Sequence, residues 1–109
     1  MANLTPVLMY QGGDAAANVY TVSNTVGNYS IIKFINICNT TNTTHTCSLH
    51  LLRDGASPAA NNKIISNAAV LSNNVLYFST SIVIPANSNI YISQSSTGLT
   101  FNISGVQYA

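Results

Sequence analysis

Ordinary charge is nearly absent from this chain of 109 residues: Lys33, Arg53 and Lys63 stand against Asp14 and Asp54, and there is no Glu. Charged residues make up 5% of the sequence, against about 25% in a typical soluble domain. That scarcity argues against enzyme chemistry, which needs converging ionisable groups to move protons, hold metals or grip charged substrates. It also removes the self-repulsion that keeps domains apart in solution, so a working state packed against other protein is expected.

Other absences narrow the field further. With a net charge of +1 and no Lys/Arg cluster, the electrostatic footprint of a nucleic-acid or anionic-membrane binder is lacking, and neither partner is expected. No apolar run reaches the roughly 18–20 residues of a membrane helix. The start, Met1-Ala2-Asn3-Leu4, has neither the basic stretch nor the apolar core of a secretion signal, so the chain is expected to be made in, and first released into, a cytoplasm. Trp, the strongest residue for stacking on sugar rings, does not occur.

What is present suits a β-rich fold. Hydrophobic residues form 47% of the chain, including six Tyr and three Phe, enough apolar material for one modest core in a single domain spanning residues 1–109. The polar remainder is mostly Asn, Ser and Thr, which face water without charge and fit turns and exposed strand faces.

Short apolar runs recur between clusters of Gly, Pro, Asn and Ser, the spacing of an all-β sandwich or barrel. They are Leu4 to Tyr10, Asn18 to Val22, Tyr29 to Cys38, Thr46 to Leu52, Lys63 to Ala68, Val75 to Phe78, Ser81 to Ile84, Asn89 to Ser93 and Leu99 to Ile103. The pattern predicts an antiparallel, jelly-roll-like β-sandwich of about eight short strands. Alternation is best in Cys47, Leu49 and Leu51 against Thr46, Ser48 and His50, and in Leu99, Phe101 and Ile103 against Thr100 and Asn102, each reading as one buried and one wet face.

Turn residues separate the runs at Gly12-Gly13-Asp14, Asn39 to Thr44, Asp54 to Asn62 and Pro85 to Asn89. Ala15 to Ala17 and Asn67 to Leu71 are the only stretches suited to a short helix. The tract Asn39 to Thr44 reads as an exposed loop whose amides and hydroxyls are satisfied by water.

Few constellations carry chemistry. Cys38 and Cys47 flank the Asn39 to Thr46 loop and are expected to be free thiols acting as small core hydrophobes, given a cytoplasmic origin. His45, Cys47 and His50 include zinc-ligand types, but strand alternation points His50 away from the other two, and no metal site is expected. Ser48, His50 and Asp54 supply the residue types of a triad without a nucleophile turn, so His50 reads as an exposed strand histidine. Glycosylation patterns at Asn3, Asn28, Asn39, Asn42 and Asn102 follow from the Asn, Ser and Thr content. No catalytic residue, cofactor or metal is assigned.

Longer stretches carry a family resemblance. Val19-Tyr20-Thr21-Val22 leads through a short loop to the strand Tyr29 to Thr41. Thr46 to Leu51 follows, then Ser81-Ile-Val-Ile-Pro-Ala-Asn-Ser-Asn-Ile-Tyr-Ile-Ser93 and the closing Ile103-Ser-Gly-Val106. This pattern resembles the small β-sandwich virion proteins of tailed bacteriophages.

The resemblance implies a non-enzymatic structural protein of the virion, assembled in a host cytoplasm. Its leading form is a capsid decoration (cement) protein clamping neighbouring major capsid subunits as a homo-oligomer. A tail, neck or fibre module is the alternative within that class. A carbohydrate-binding adhesion module stacking sugars on Tyr10, Tyr77 and Tyr91 is the alternative outside it.

An open sheet edge is the expected docking surface, with Pro6 shielding the first strand and Pro85 the seventh. The chain ends, Met1, Ala2, Asn3, Leu4 and Thr5 with Val106, Gln107, Tyr108 and Ala109, are the candidate docking arms.

Overall fold

The computed structural model describes residues 4–13, 15–95 and 97–108. Eight strands follow one another: β1 (Leu4–Gly12), β2 (Ala16–Val22), β3 (Tyr29–Asn39), β4 (His45–Arg53), β5 (Lys63–Val70), β6 (Val75–Pro85), β7 (Ser88–Gln94) and β8 (Leu99–Tyr108). They form two four-stranded sheets, ordered β1-β8-β3-β6 and β2-β7-β4-β5. Every pairing is antiparallel. Successive strands mostly alternate between the sheets, the jelly-roll arrangement of a two-layer sandwich.

The core lies between the inward faces. From the first sheet come Ile32, Ile35, Ile37, Ile84, Phe101 and Ile103; from the second come Cys47, Leu49, Val70, Ile90 and Ile92. Their period-two spacing is what a strand needs to aim one set of side chains at a common partner layer. At one end Tyr20 reaches from β2 to the other sheet, its hydroxyl 2.8 Å from Ser30 Oγ and donating to Gln107 Oε1 at 3.2 Å.

One irregularity runs across the first sheet. Register slips between Leu8 and Tyr10 in β1, between Ile32 and Phe34 against β8, and between Ile82 and Ser79 opposite the same stretch of β3. These bulges lie beside Gly105, where an added Cβ would overlap the carbonyl oxygen of Ile31 and crowd Met9 Cε. A bulge inserts one residue and flips the phase, so the adjacent Lys33 and Phe34 both face outward.

Several expectations change. The runs Val75 to Phe78 and Ser81 to Ile84 are one bulged strand, β6. Neither proposed helix forms: Ala16 and Ala17 begin β2, and Asn67 lies within β5 with φ of 49°, a left-handed conformation that bends the strand. Among the described residues the one helical turn is the 3-10 segment Ala60–Asn62.

The tract at 39–44 is not simply a wetted loop. Asn39 is buried, its amide donating to the carbonyls of Thr43 (2.8 Å) and Val70 (2.9 Å) while its Oδ1 accepts from Thr41 N and Oγ1. This one side chain closes the turn and ties it to β5, using all its bonding capacity.

Candidate functional site

The triad types do not assemble. Ser48 Oγ bonds Asn67, Asp54 Oδ1 accepts from Asn87, and His50 Nδ1–H donates to Asn62 Oδ1 at 2.6 Å. His50 is 5% exposed rather than the expected surface histidine. The segment after β4 turns at Asp54 and Gly55, both at positive φ, and returns Asn62 to His50. Asn62 also accepts from Ala59 N and donates to Ser57 O. With Tyr91 packed edge-on at 5.7 Å, this closes over the outward face of β4, where Ser48 and Leu52 are buried as well. The arrangement reads as structural.

Among the described residues no cluster of three or more His, Cys, Asp or Glu could hold a metal ion, and no helix is long and apolar enough to cross a membrane. Cys38 and Cys47 are free. They sit on strands of different sheets, Cys38 among the outward positions of β3 and Cys47 in the core. Burial pushes the Cys47 thiol up to about 11, which keeps it protonated and unreactive. The three tyrosines of the sugar-platform reading also separate. Tyr10 packs against the core, Tyr77 lies on the outer face of the first sheet, and Tyr91 lies on that of the second.

The unusual surface is the outer face of the first sheet. Register places Leu4, Tyr108, Tyr29 and Pro85 in one row across all four strands, and Pro6, Val106, Ile31 and Val83 in the next. Tyr29 and Tyr108 stack at 5.0 Å. Leu8 (57% exposed), Phe34 and Tyr77 (66% exposed) extend the apolar surface, with Phe34 and Tyr77 stacked at 6.0 Å.

Lys33 is the only charged residue in the four strands of this sheet, and its Nζ donates to Ser81 Oγ at 2.8 Å. Strand spacing and rise give the two apolar rows roughly 250 Å², and Leu8, Phe34 and Tyr77 extend this towards the few hundred Å² of the largest apolar patch on a typical monomer, which often marks an interaction site.

The chain ends expected to act as docking arms are, where described, strands of the first sheet. Met1, Ala2, Asn3 and Ala109 lie outside the described residues. Leu4 and Thr5 belong to β1, paired with β8. Val106, Gln107 and Tyr108 belong to β8, which is paired on one side with β1 and on the other with β3. A strand hydrogen-bonded on both sides has no backbone left to lend a partner. Leu4, Val106 and Tyr108 do lie on the apolar outer face, where they contribute side chains, while Gln107 turns inward to Tyr20.

No protein-family model matches the sequence, and no curated protein matches it. Solved structures do match the fold. A chain from the crystal structure of the T13 IBDV viral particle aligns with a TM-score of 0.64 at 10% identity, covering 98% of this chain and 31% of that one. A chain from the structure of the infectious bursal disease virus Gx strain aligns with a TM-score of 0.53, again at 10% identity with 98% and 31% coverage. The present chain thus spans about a third of the length of those it matches.

These findings support the all-β, jelly-roll-like sandwich and overturn the likeness to tailed-bacteriophage proteins, because the virus concerned is neither tailed nor a phage. The physical reason is plain in the fold. The short motifs behind that likeness are strand and corner residues any jelly roll would use; Pro85-Ala86-Asn87, for example, makes the crossing from β6 to β7 with Asn87 at φ 59°.

Proposed function

We propose that this chain is a non-enzymatic structural module of a virus particle, acting by burying its apolar sheet face against neighbouring shell proteins. The observation that carries the reading is the outer face of the first sheet, with two apolar rows spanning four strands and a single charge. The jelly-roll match along nearly the whole chain to a chain of a viral particle supports the same class of role. Sheet faces of this kind bind through shape and exclusion of water, and contribute no reaction chemistry.

Within that class the reading is a decoration role at junctions between neighbouring capsid subunits. Such a role needs a neutral face able to sit against more than one copy of a partner, and the near absence of charge leaves few groups to be desolvated unpaired.

The test is to purify particles from a producing culture and quantify this chain relative to the main shell protein. A stoichiometric share is expected, lost when Ile31→Lys places a charge in the second apolar row while circular dichroism remains that of the wild type. Absence of the chain from particles, or unchanged incorporation of a folded Ile31→Lys variant, would defeat the proposal.

A further inference from the structure

One charge stands inside the apolar outer face of the first sheet. Lys33 sits at the bulge of β3, where register skips from Ile32 to Phe34 against both neighbouring strands, and the same skip on β6 leaves Thr80 and Ser81 opposite it. Its place is interior. β3 lies between β8 and β6, with Ile31 preceding Lys33 on the outer face and the Phe34–Tyr77 stack following it.

Three observations define its surroundings. Nζ donates to Ser81 Oγ at 2.8 Å, which holds the ammonium along the face instead of extended into solvent. Among the described residues no carboxylate pairs with it; Asp54 follows β4 in the other sheet and accepts from Asn87. Lys33 also borders a depression of about 400 Å³, walled by Pro6 and Leu8 of β1 and by Ser104 and Gly105 of β8.

An exposed lysine needs no partner, because water solvates it. Covered by a neighbouring protein, however, an ammonium without an opposite charge is strongly unfavourable, and a single hydroxyl does not neutralise it. Nζ has three protons and Ser81 takes one, which leaves two for a carboxylate.

We propose that the protein seated on this face presents an Asp or Glu that pairs with Lys33, beside an apolar side chain that fills the depression at Leu8. The inference rests on the particle-binding reading above and names the chemistry of the partner. Charge complementarity selects it. The four strands carry one cation and no Asp or Glu, so a neutral or basic partner segment would bury Lys33 unpaired. The ion pair also fixes position on a face whose apolar rows alone would tolerate sliding.

The test uses particles from a culture that does not make this chain, titrated with purified wild type or variants and pelleted to separate bound from free. Lys33→Met keeps the stem and adds apolar surface, so without a facing carboxylate it would bind as tightly as the wild type or more tightly. With one, it is expected to bind about tenfold or more weakly, because the partner's carboxylate is left buried alone. Lys63→Met, in the other sheet, should change binding less than about threefold. Circular dichroism confirms that each variant is folded.

A water-soluble carbodiimide, which condenses an amine with a carboxylate in contact and takes up the water as a urea, provides a second readout. It is expected to join Lys33 of the bound chain to an Asp or Glu of the shell protein, identified by peptide mass spectrometry. Wild-type affinity in Lys33→Met, or no such cross-link at Lys33, would overturn the inference. If the wild type does not bind, or Ile31→Lys binds equally well, the particle-binding reading falls and this inference with it. When those two behave as expected, Lys33→Met and the cross-link decide on the ion pair alone.

Discussion

Replacing Gly105 by Ala tests how tightly the first sheet is locked. Gly105 lies in β8 opposite Val7 of β1 and Ile32 of β3, beside the bulges of both strands. At an unconstrained site the change would stabilise by about 0.4–1 kcal/mol, because Ala narrows the unfolded ensemble. Here the new methyl overlaps the Ile31 carbonyl oxygen, a backbone atom, and meets Met9 Cε at 3.0 Å. The methionine tip can rotate aside, but the carbonyl moves only with its strand, and that strand is paired on both sides.

Overpacking into such a frame costs typically 1–3 kcal/mol and occasionally more. The fixed backbone sets the expectation at the upper end, a net loss of about 3 kcal/mol. For a domain of this size that is a fall in Tm of roughly 12–24 °C. Urea unfolding followed by far-ultraviolet circular dichroism would measure it, with Ser104→Ala on the outer face as a control within about 0.5 kcal/mol. A Gly105→Ala protein within 0.5 kcal/mol of wild type would mean that the bulged strands slide freely and that register is not locked here.

Three further outcomes are expected. Leu49→Ala or Phe101→Ala, each fully buried, should cost about 2–5 kcal/mol against under about 1 kcal/mol for Thr100→Ala on the exposed side of β8, read by the same denaturation. Asn39→Ala should cost about 2–4 kcal/mol, since it leaves the Val70 carbonyl without its donor and unties the 40–44 turn; the loss should also appear as faster amide exchange there. Cys47 should resist alkylation while Cys38 reacts. Because its folded-state value is raised from 9.0 to about 11 by burial, its contribution to stability is intact below pH 9 and is lost as pH rises towards 11. A Cys47→Ala variant would lack that alkaline decline.

The architecture was legible where alternation is strict. Phe101 and Ile103 against Thr100 and Asn102 point to one face without ambiguity, and the strand count follows from turn residues such as Asn73, at φ 52° between β5 and β6. The apolar outer face was not. β3 is apolar on both faces, with Ile32, Ile35 and Ile37 inward and Ile31 and Phe34 outward, so periodicity cannot tell core from interface. The bulge at Lys33 then shifts the phase midway along the strand. His50 was misread for a different reason: nothing in its own strand signals that the chain from Asp54 to Asn62 returns to cover it. That closure depends on Asn62 bonding at a sequence separation of twelve residues.

The place of β8 between β1 and β3 has a consequence for how the chain reaches its fold. The last strand in chain order supplies the central pairing of the first sheet, so β1 and β3 must wait with open edges until it has been synthesised. β2, β4, β5 and β7 precede it and can assemble the second sheet earlier. The first sheet, the one bearing the apolar outer face, therefore closes late, after long loop closures that make sandwich folding slow. During that interval β3, though β6 is already made and can pair with one of its edges, exposes apolar side chains and an unpaired backbone on the edge that β8 will occupy. Aggregation in synthesis or refolding should concentrate on β3, and a chaperone that shields it until β8 arrives would raise yield without touching the stability of the finished domain.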